Sequence, residues 1–185
     1  MAEPARAGTR LIAFRAFGIK AGQLTPIYKT GEWPLGVRCR AQCFCASPYG
    51  AGHHQMFGKK PEGALHARSP EENEGECGFY AYDRMQTLEV YLKTQGNNRR
   101  ELMVGVVLLS GRIKVGKVRD SEGQLKIPGY RLRAEFGRVV ALDKDQAAAF
   151  PLTNGDRVEW ISRRYLEAWA ADAFSGVRYG GLDGG

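Results

Sequence analysis

Residues 102–142 read LMVGVVLLSGRIKVGKVRDSEGQLKIPGYRLRAEFGRVVAL, and this stretch decides the architecture. Residues 102–109 form an apolar run of strand length, rich in β-branched side chains. Gly105 within it marks a bulge or the close approach of another backbone. Ser110-Gly111 predicts a tight turn. Residues 112–118 then alternate, with Ile113 and Val115 inward and Arg112 and Lys114 outward. Residues 120–123 (DSEG) predict a turn or loop. Residues 130–142 alternate again: Tyr130, Leu132, Ala134 and Phe136 oppose Arg131, Arg133 and Glu135, and Gly137 marks a bulge. Period-two patterning punctuated by turn residues predicts hairpin-connected antiparallel strands.

Outward from this block the pattern continues. Residues 10–19 (RLIAFRAFGI) are apolar on both faces and predict a central strand, followed by a turn and a returning strand at 24–28 with Pro26 at an edge. Residues 78–82 predict a short strand. Asp83 is a suitable N-cap for a helix over 84–95, whose Met85, Leu88, Tyr91 and Leu92 share one face. Asp143 caps a short helix over 144–150. Asn154-Gly155-Asp156 predicts a turn, 157–160 a strand, and Ser162 the cap of a helix over 163–174. The expected fold is α+β: a mainly antiparallel curled sheet or small β-barrel with two to three helices. The expected organisation is a loose N-terminus (1–9), a core domain (10–142), C-terminal elements packed on it (143–174) and a flexible glycine-rich tail (175–185).

Composition narrows the function classes. The chain has 185 residues, 25% of them charged, with a formal net charge of +7. No apolar run reaches the roughly 18 residues of a membrane helix, and the N-terminus lacks an apolar signal region. A cytoplasmic protein is expected. The basic balance favours nucleic acid, a nucleotide or an acidic protein surface as partner.

All 4 cysteines and all 3 histidines fall within residues 39–77. A loop of this length without apolar periodicity needs something to order it. Clustered thiols and imidazoles in a reducing compartment point to structural zinc before disulfides. The expected ligands are Cys43, Cys45, His66 and Cys77, which would join both ends of the loop and its middle at one ion. Cys39, His53 and His54 are the alternative ligands. Free cysteines acting as small apolar residues, or a catalytic Cys/His pair, are the competing readings.

Several motifs carry a resemblance. These are Trp33 with Gly36 and Val37, Ala41 with Cys43, His66 with Pro70, the CGFYA run from Cys77 to Ala81, Val104-Gly105 with Gly111-Arg112-Ile113, and Gly129-Tyr130-Arg131 with Ala134-Glu135 and 138–142. Over about residues 10–142 the chain resembles an uncharacterised domain family of actinobacteria and their phages. The resemblance implies that Cys43, His66 and Cys77 share a site, and it implies no particular chemistry. Members often carry a further cysteine just ahead of the CGFYA-type motif, where this chain has Glu76.

Arg112, Lys114, Lys117, Arg119, Arg131, Arg133 and Arg138 lie on neighbouring predicted strands and form a basic stripe if Arg112/Lys114 and Arg131/Arg133 face the same side, with Tyr130 placed to stack on a base. No phosphate-loop, dinucleotide-binding, HExxH or GxSxG motif is present. The expected function is therefore a zinc-stabilised, non-enzymatic basic module, an accessory or regulatory factor contacting nucleic acid or a nucleotide. The alternative is an effector that binds and modulates a host protein, through a surface such as the 163–174 helix. A Cys/His or zinc-dependent enzyme is the third reading.

Overall fold

The computed structural model describes residues 10–25, 33–40, 79–94, 102–118 and 129–179. Three long strands dominate it: β1 (Arg10–Lys20), β5 (Leu102–Lys117) and β6 (Tyr130–Asp143). Shorter strands are β2 (Gln23–Thr25), β3 (Cys39–Arg40), β4 (Phe79–Tyr82), β7 (Glu159–Ile161) and β8 (Arg178–Tyr179). Among the described residues the α-helices are α1 (Met85–Thr94) and α2 (Leu166–Ala173). All eight strands belong to one sheet, so the fold is α+β and sheet-rich.

β5 lies between β1 and β6, antiparallel to both. The far edge of β6 pairs in succession with β4, β3 and β7. The far edge of β1 pairs with β8, with β4 at the single position Phe14–Tyr82, and with β2. The sheet thus curls until β4 touches both β1 and β6, without continuous ladders closing it into a barrel. β7 and β8 join in parallel, so the sheet is mixed.

The curl has two apolar sides. Inside it lie Ala13, Phe17, Met103, Val107, Leu109, Ile113, Leu132 and Ala134, with Trp33 packed among them. Trp33 meets Phe17 edge-on at 5.2 Å and Phe79 at 4.4 Å. Such aromatic pairs add about 0.5–1.5 kcal/mol each beyond burial. On the outer side, Ile12, Phe14, Tyr82, Val104 and Val106 are covered by Met85 and Leu88 of α1 and by Leu166 and Ala170 of α2.

Several expectations are corrected. Ser110-Gly111 is no hairpin turn: β5 runs through it for 16 residues. The register jumps between Ser110 and Ile113, leaving Gly111 and Arg112 opposite Glu135 alone. Gly111 adopts φ +82°, so this is a bulge with glycine in the left-handed region. The segment after Asp143 is a 3-10 turn (Lys144–Gln146), not a longer helix. Residues 163–174 begin with a 3-10 turn (Arg163–Tyr165) before α2, and the Ser162 hydroxyl bonds Asp145 at 2.9 Å instead of capping. Part of the expected flexible tail is β8, paired with Leu11 and Ile12 of β1. Among the described residues no helix is long and apolar enough to cross a membrane.

Candidate nucleic-acid interface

Side chains directly opposite one another in an antiparallel pair project from the same face. Lys114 of β5 is opposite Arg133 of β6, and Arg133 is opposite Tyr80 of β4. One step along, Gly116 is opposite Arg131, and Arg131 is opposite Tyr82. Lys114, Arg133, Arg131, Tyr80 and Tyr82 therefore form two adjacent rows on the outer face. Arg112 is exposed, in the bulge that precedes buried Ile113.

The two rows differ in character. Arg131 is exposed, and its guanidinium lies over the Tyr80 ring at 5.3 Å. This cation–π stacking fixes a planar donor group while leaving its edge open. Gly116 leaves open space beside it: a Cβ there would meet nothing within 4 Å. Arg133 is only 9% exposed, which corrects its expected place on a solvent-facing stripe. It sits on the central strand, flanked by Lys114 and Tyr80.

Two other predicted members fall elsewhere. Tyr130 is opposite Lys117 and packs against the interior cluster with Val115, so it is no platform on this face. Lys117 is exposed at the end of β5 on that opposite side. Arg119 lies outside the described residues, as do Cys43, Cys45, His53, His54, His66 and Cys77. The aromatic groups beside the basic side chains are Tyr80 and Tyr82, which the alternation of the FYAY strand could have revealed.

The electrostatics are one-sided. Among the described residues no carboxylate pairs with Lys114, Lys117 or Arg131, whereas Glu135 is already neutralised by Arg40 at 3.1 Å. The Tyr82 phenol is held well above its ordinary range, by burial first and then by Tyr91, whose ring lies 4.9 Å away. Tyr82 is thus a neutral hydrogen-bonding group at any physiological pH.

The end of β6 is held by Asp83. Its Oδ1 accepts from the Tyr130 N–H at 2.8 Å and from the Thr87 hydroxyl at 3.2 Å. The residue expected to cap α1 therefore also ties that helix to the strand bearing Arg131 and Arg133.

Cys39 is the one alternative metal ligand among the described residues. It is half-buried on β3 with its thiol 3.6 Å from the Val37 carbonyl, and burial pushes its pKa up, so it stays a thiol. Among the described residues no group of three or more His, Cys, Asp or Glu could hold a metal.

Comparison of the chain with models of protein families, with curated proteins and with solved structures found no match.

Proposed function

We propose that the outer face of β4, β5 and β6 binds nucleic acid through backbone phosphates, and that the protein is a non-enzymatic accessory or regulatory module. The observation that carries this reading is the placement of exposed Lys114 and Arg131 on adjacent strands of one face, with no acid opposing either among the described residues. Lysines on β5 alone would be explained as protection of a sheet edge. Arg131 lies on β6, between β5 and β4, where no edge needs protecting. The net charge of +7 supplies the long-range attraction that such a face needs.

Fluorescence polarisation with labelled single- and double-stranded oligonucleotides tests the reading. Affinity is expected to fall steeply and log-linearly with salt. No detectable binding at 50 mM salt would remove the proposal.

The alternative, an effector binding a host protein, has less support on the described surface. Its exposed large apolar residues are Val37 and Tyr165, and Tyr165 lies under Arg164 at 4.6 Å. Trp169 is half-buried against Phe174.

Zinc on Cys43, Cys45, His66 and Cys77 is part of the proposal and rests on the sequence alone. Elemental analysis is expected to give about one zinc per chain. An unchanged melting temperature after chelation would count against a structural role.

A further inference from the structure

A second group of arginines lies on the outer side of the sheet, beyond the bulge at Gly111. Two ladder rows carry it. In one, Arg10 of β1, Ser110 of β5, Phe136 of β6 and Arg40 of β3 stand opposite one another in turn. In the next, Ile12, Leu108 and Arg138 do the same. Ile12 and Leu108 pack in the outer cluster, so Arg138 projects from that side. Tyr82 packs in the same cluster and is opposite Arg131, so the two basic groups share one side. Arg38, just ahead of β3, lays its guanidinium 4.0 Å from the Phe136 ring centroid, and that of Arg40 lies 5.9 Å from it. Arg10, Arg38, Arg40 and Arg138 are all exposed. Arg15, on the inner side with its guanidinium 4.7 Å from the Trp33 ring and its Nη1 bonded to the Tyr80 carbonyl, takes no part in either group.

Charge and residue type say what the second group fits. Glu135 is held by Arg40, and among the described residues no carboxylate pairs with Arg10, Arg38 or Arg138. Protection of a sheet edge accounts for Arg38 and Arg40 at most, and lysine is the usual guard there. Arg138 lies on β6 where β5 and β3 flank it, away from any edge. Arginine differs from lysine in its planar fork, which stacks on a ring and still turns N–H groups outward. Arg38 covers the Phe136 ring in this way, so the ring orients a donor and is not an open platform for a base. Exposed forks without a competing acid match phosphate oxygens, which accept charge-assisted hydrogen bonds whatever the base sequence.

Given the proposed nucleic-acid reading, on which this rests, we infer that Arg10, Arg38 and Arg138 make a second phosphate contact with the same nucleic acid. The bound strand follows β6 from Arg131, past the bulge, to Arg138 and Arg38. This adds a minimum length to the ligand. Arg131 and Arg138 are seven residues apart on β6, which is roughly 23 Å of strand. One strand of nucleic acid advances about 3.4 Å per nucleotide, so a molecule touching both groups needs about 8 nucleotides.

The test measures the salt dependence of binding to the full chain for single-stranded oligonucleotides of about 4 and about 12 nucleotides, the shorter unable to reach both groups. For wild type the longer oligonucleotide is expected to give a log–log salt slope steeper by about 1.4, from ~0.7 for each of two added contacts. Arg38→Gln/Arg138→Gln is expected to bring the two slopes together while leaving salt-sensitive binding of the shorter one in place. Equal slopes in wild type, or an unchanged difference in a variant that melts like wild type, overturn the inference and leave the basic-face reading intact. Absence of salt-sensitive binding at either length removes that reading itself. Displacement by polyglutamate as readily as by unlabelled oligonucleotide assigns these arginines to an acidic protein surface and also overturns the inference. Should Arg38→Gln/Arg138→Gln melt low, Arg10→Gln/Arg138→Gln leaves the Arg38–Phe136 stack in place and is expected to give the same result.

Discussion

Gly129 shows how little freedom some single positions have. Its φ of +99° lies where side chains rarely go, and an added Cβ would come within 2.1 Å of the Thr87 hydroxyl and 2.6 Å of Asp83 Oδ1. Those atoms join α1 to the start of β6, so the clash falls on a buried hydrogen-bonded latch. Gly129→Ala is expected to cost about 2–4 kcal/mol, combining backbone strain with overpacking. Urea denaturation measures this, and a loss below about 0.5 kcal/mol would mean that the latch is not as described. Asp143 makes the opposite point. It is 1% exposed, and burial raises its pKa, although its Oδ1 accepts from the Asp145 N–H at 3.0 Å. Arg163 is its nearest cation, at 3.9 Å, and Arg163 also serves Glu89 at 3.4 Å. The folded state therefore holds this proton more tightly than the unfolded state does. The contribution from Asp143 is most favourable at acid pH and is lost as pH rises through the folded-state value. Asp143→Asn keeps an oxygen acceptor and removes the charge. Its melting temperature relative to wild type is expected to improve from pH 3.5 to pH 7, and a pH-independent difference would contradict this assignment.

At the scale of the element, β5 holds glycines of opposite meaning. Gly111 forms the bulge at φ +82°, and its Cβ would meet Phe136 at 2.7 Å and Glu135 at 3.0 Å. Gly116, five residues on in the same strand, has open space around it. Gly111→Ala is expected to destabilise by about 1–3 kcal/mol, whereas Gly116→Ala is neutral or slightly stabilising. Thermal unfolding of the two variants side by side checks this, and equal effects would contradict the bulge. The same strand shows what local sequence can and cannot say. Alternation at Ile113 and Val115 against Arg112 and Lys114 was legible, because period two follows from strand geometry alone. The Ser110-Gly111 pair was legible as a tight turn, a conformation in which glycine supplies positive φ. That requirement is shared by a hairpin turn and a glycine bulge, and only the partner strand decides between them. The parallel joins of β7 and β8 left no local signature, since a parallel partner is chosen by tertiary packing. Gln146, in a turn between elements, bonds the Val104 N–H and the Leu102 carbonyl at the start of β5. No periodicity announces a contact of that kind.

For the molecule as a whole, the α+β class and the curled sheet were readable from strand spacing. The basic face was readable in part, because face membership follows parity. By that parity Tyr130 belongs with Leu132 and Ala134, and the interior is where it packs. Burial of Arg133 was not legible, since it depends on β4 pairing alongside from a distant part of the chain. Arg15 shares the parity of Ala13 and Phe17 and was visible only as a charge among apolar neighbours. The central proposal for the molecule is that the outer face of β4, β5 and β6 binds phosphate. The most direct test is the salt dependence of oligonucleotide affinity for wild type against Lys114→Glu/Arg131→Glu. The double variant is expected to lose at least about tenfold in affinity at low salt, with a log–log salt slope shallower by about 2, one for each phosphate contact removed. Unchanged affinity and slope in a variant that melts like wild type would contradict it.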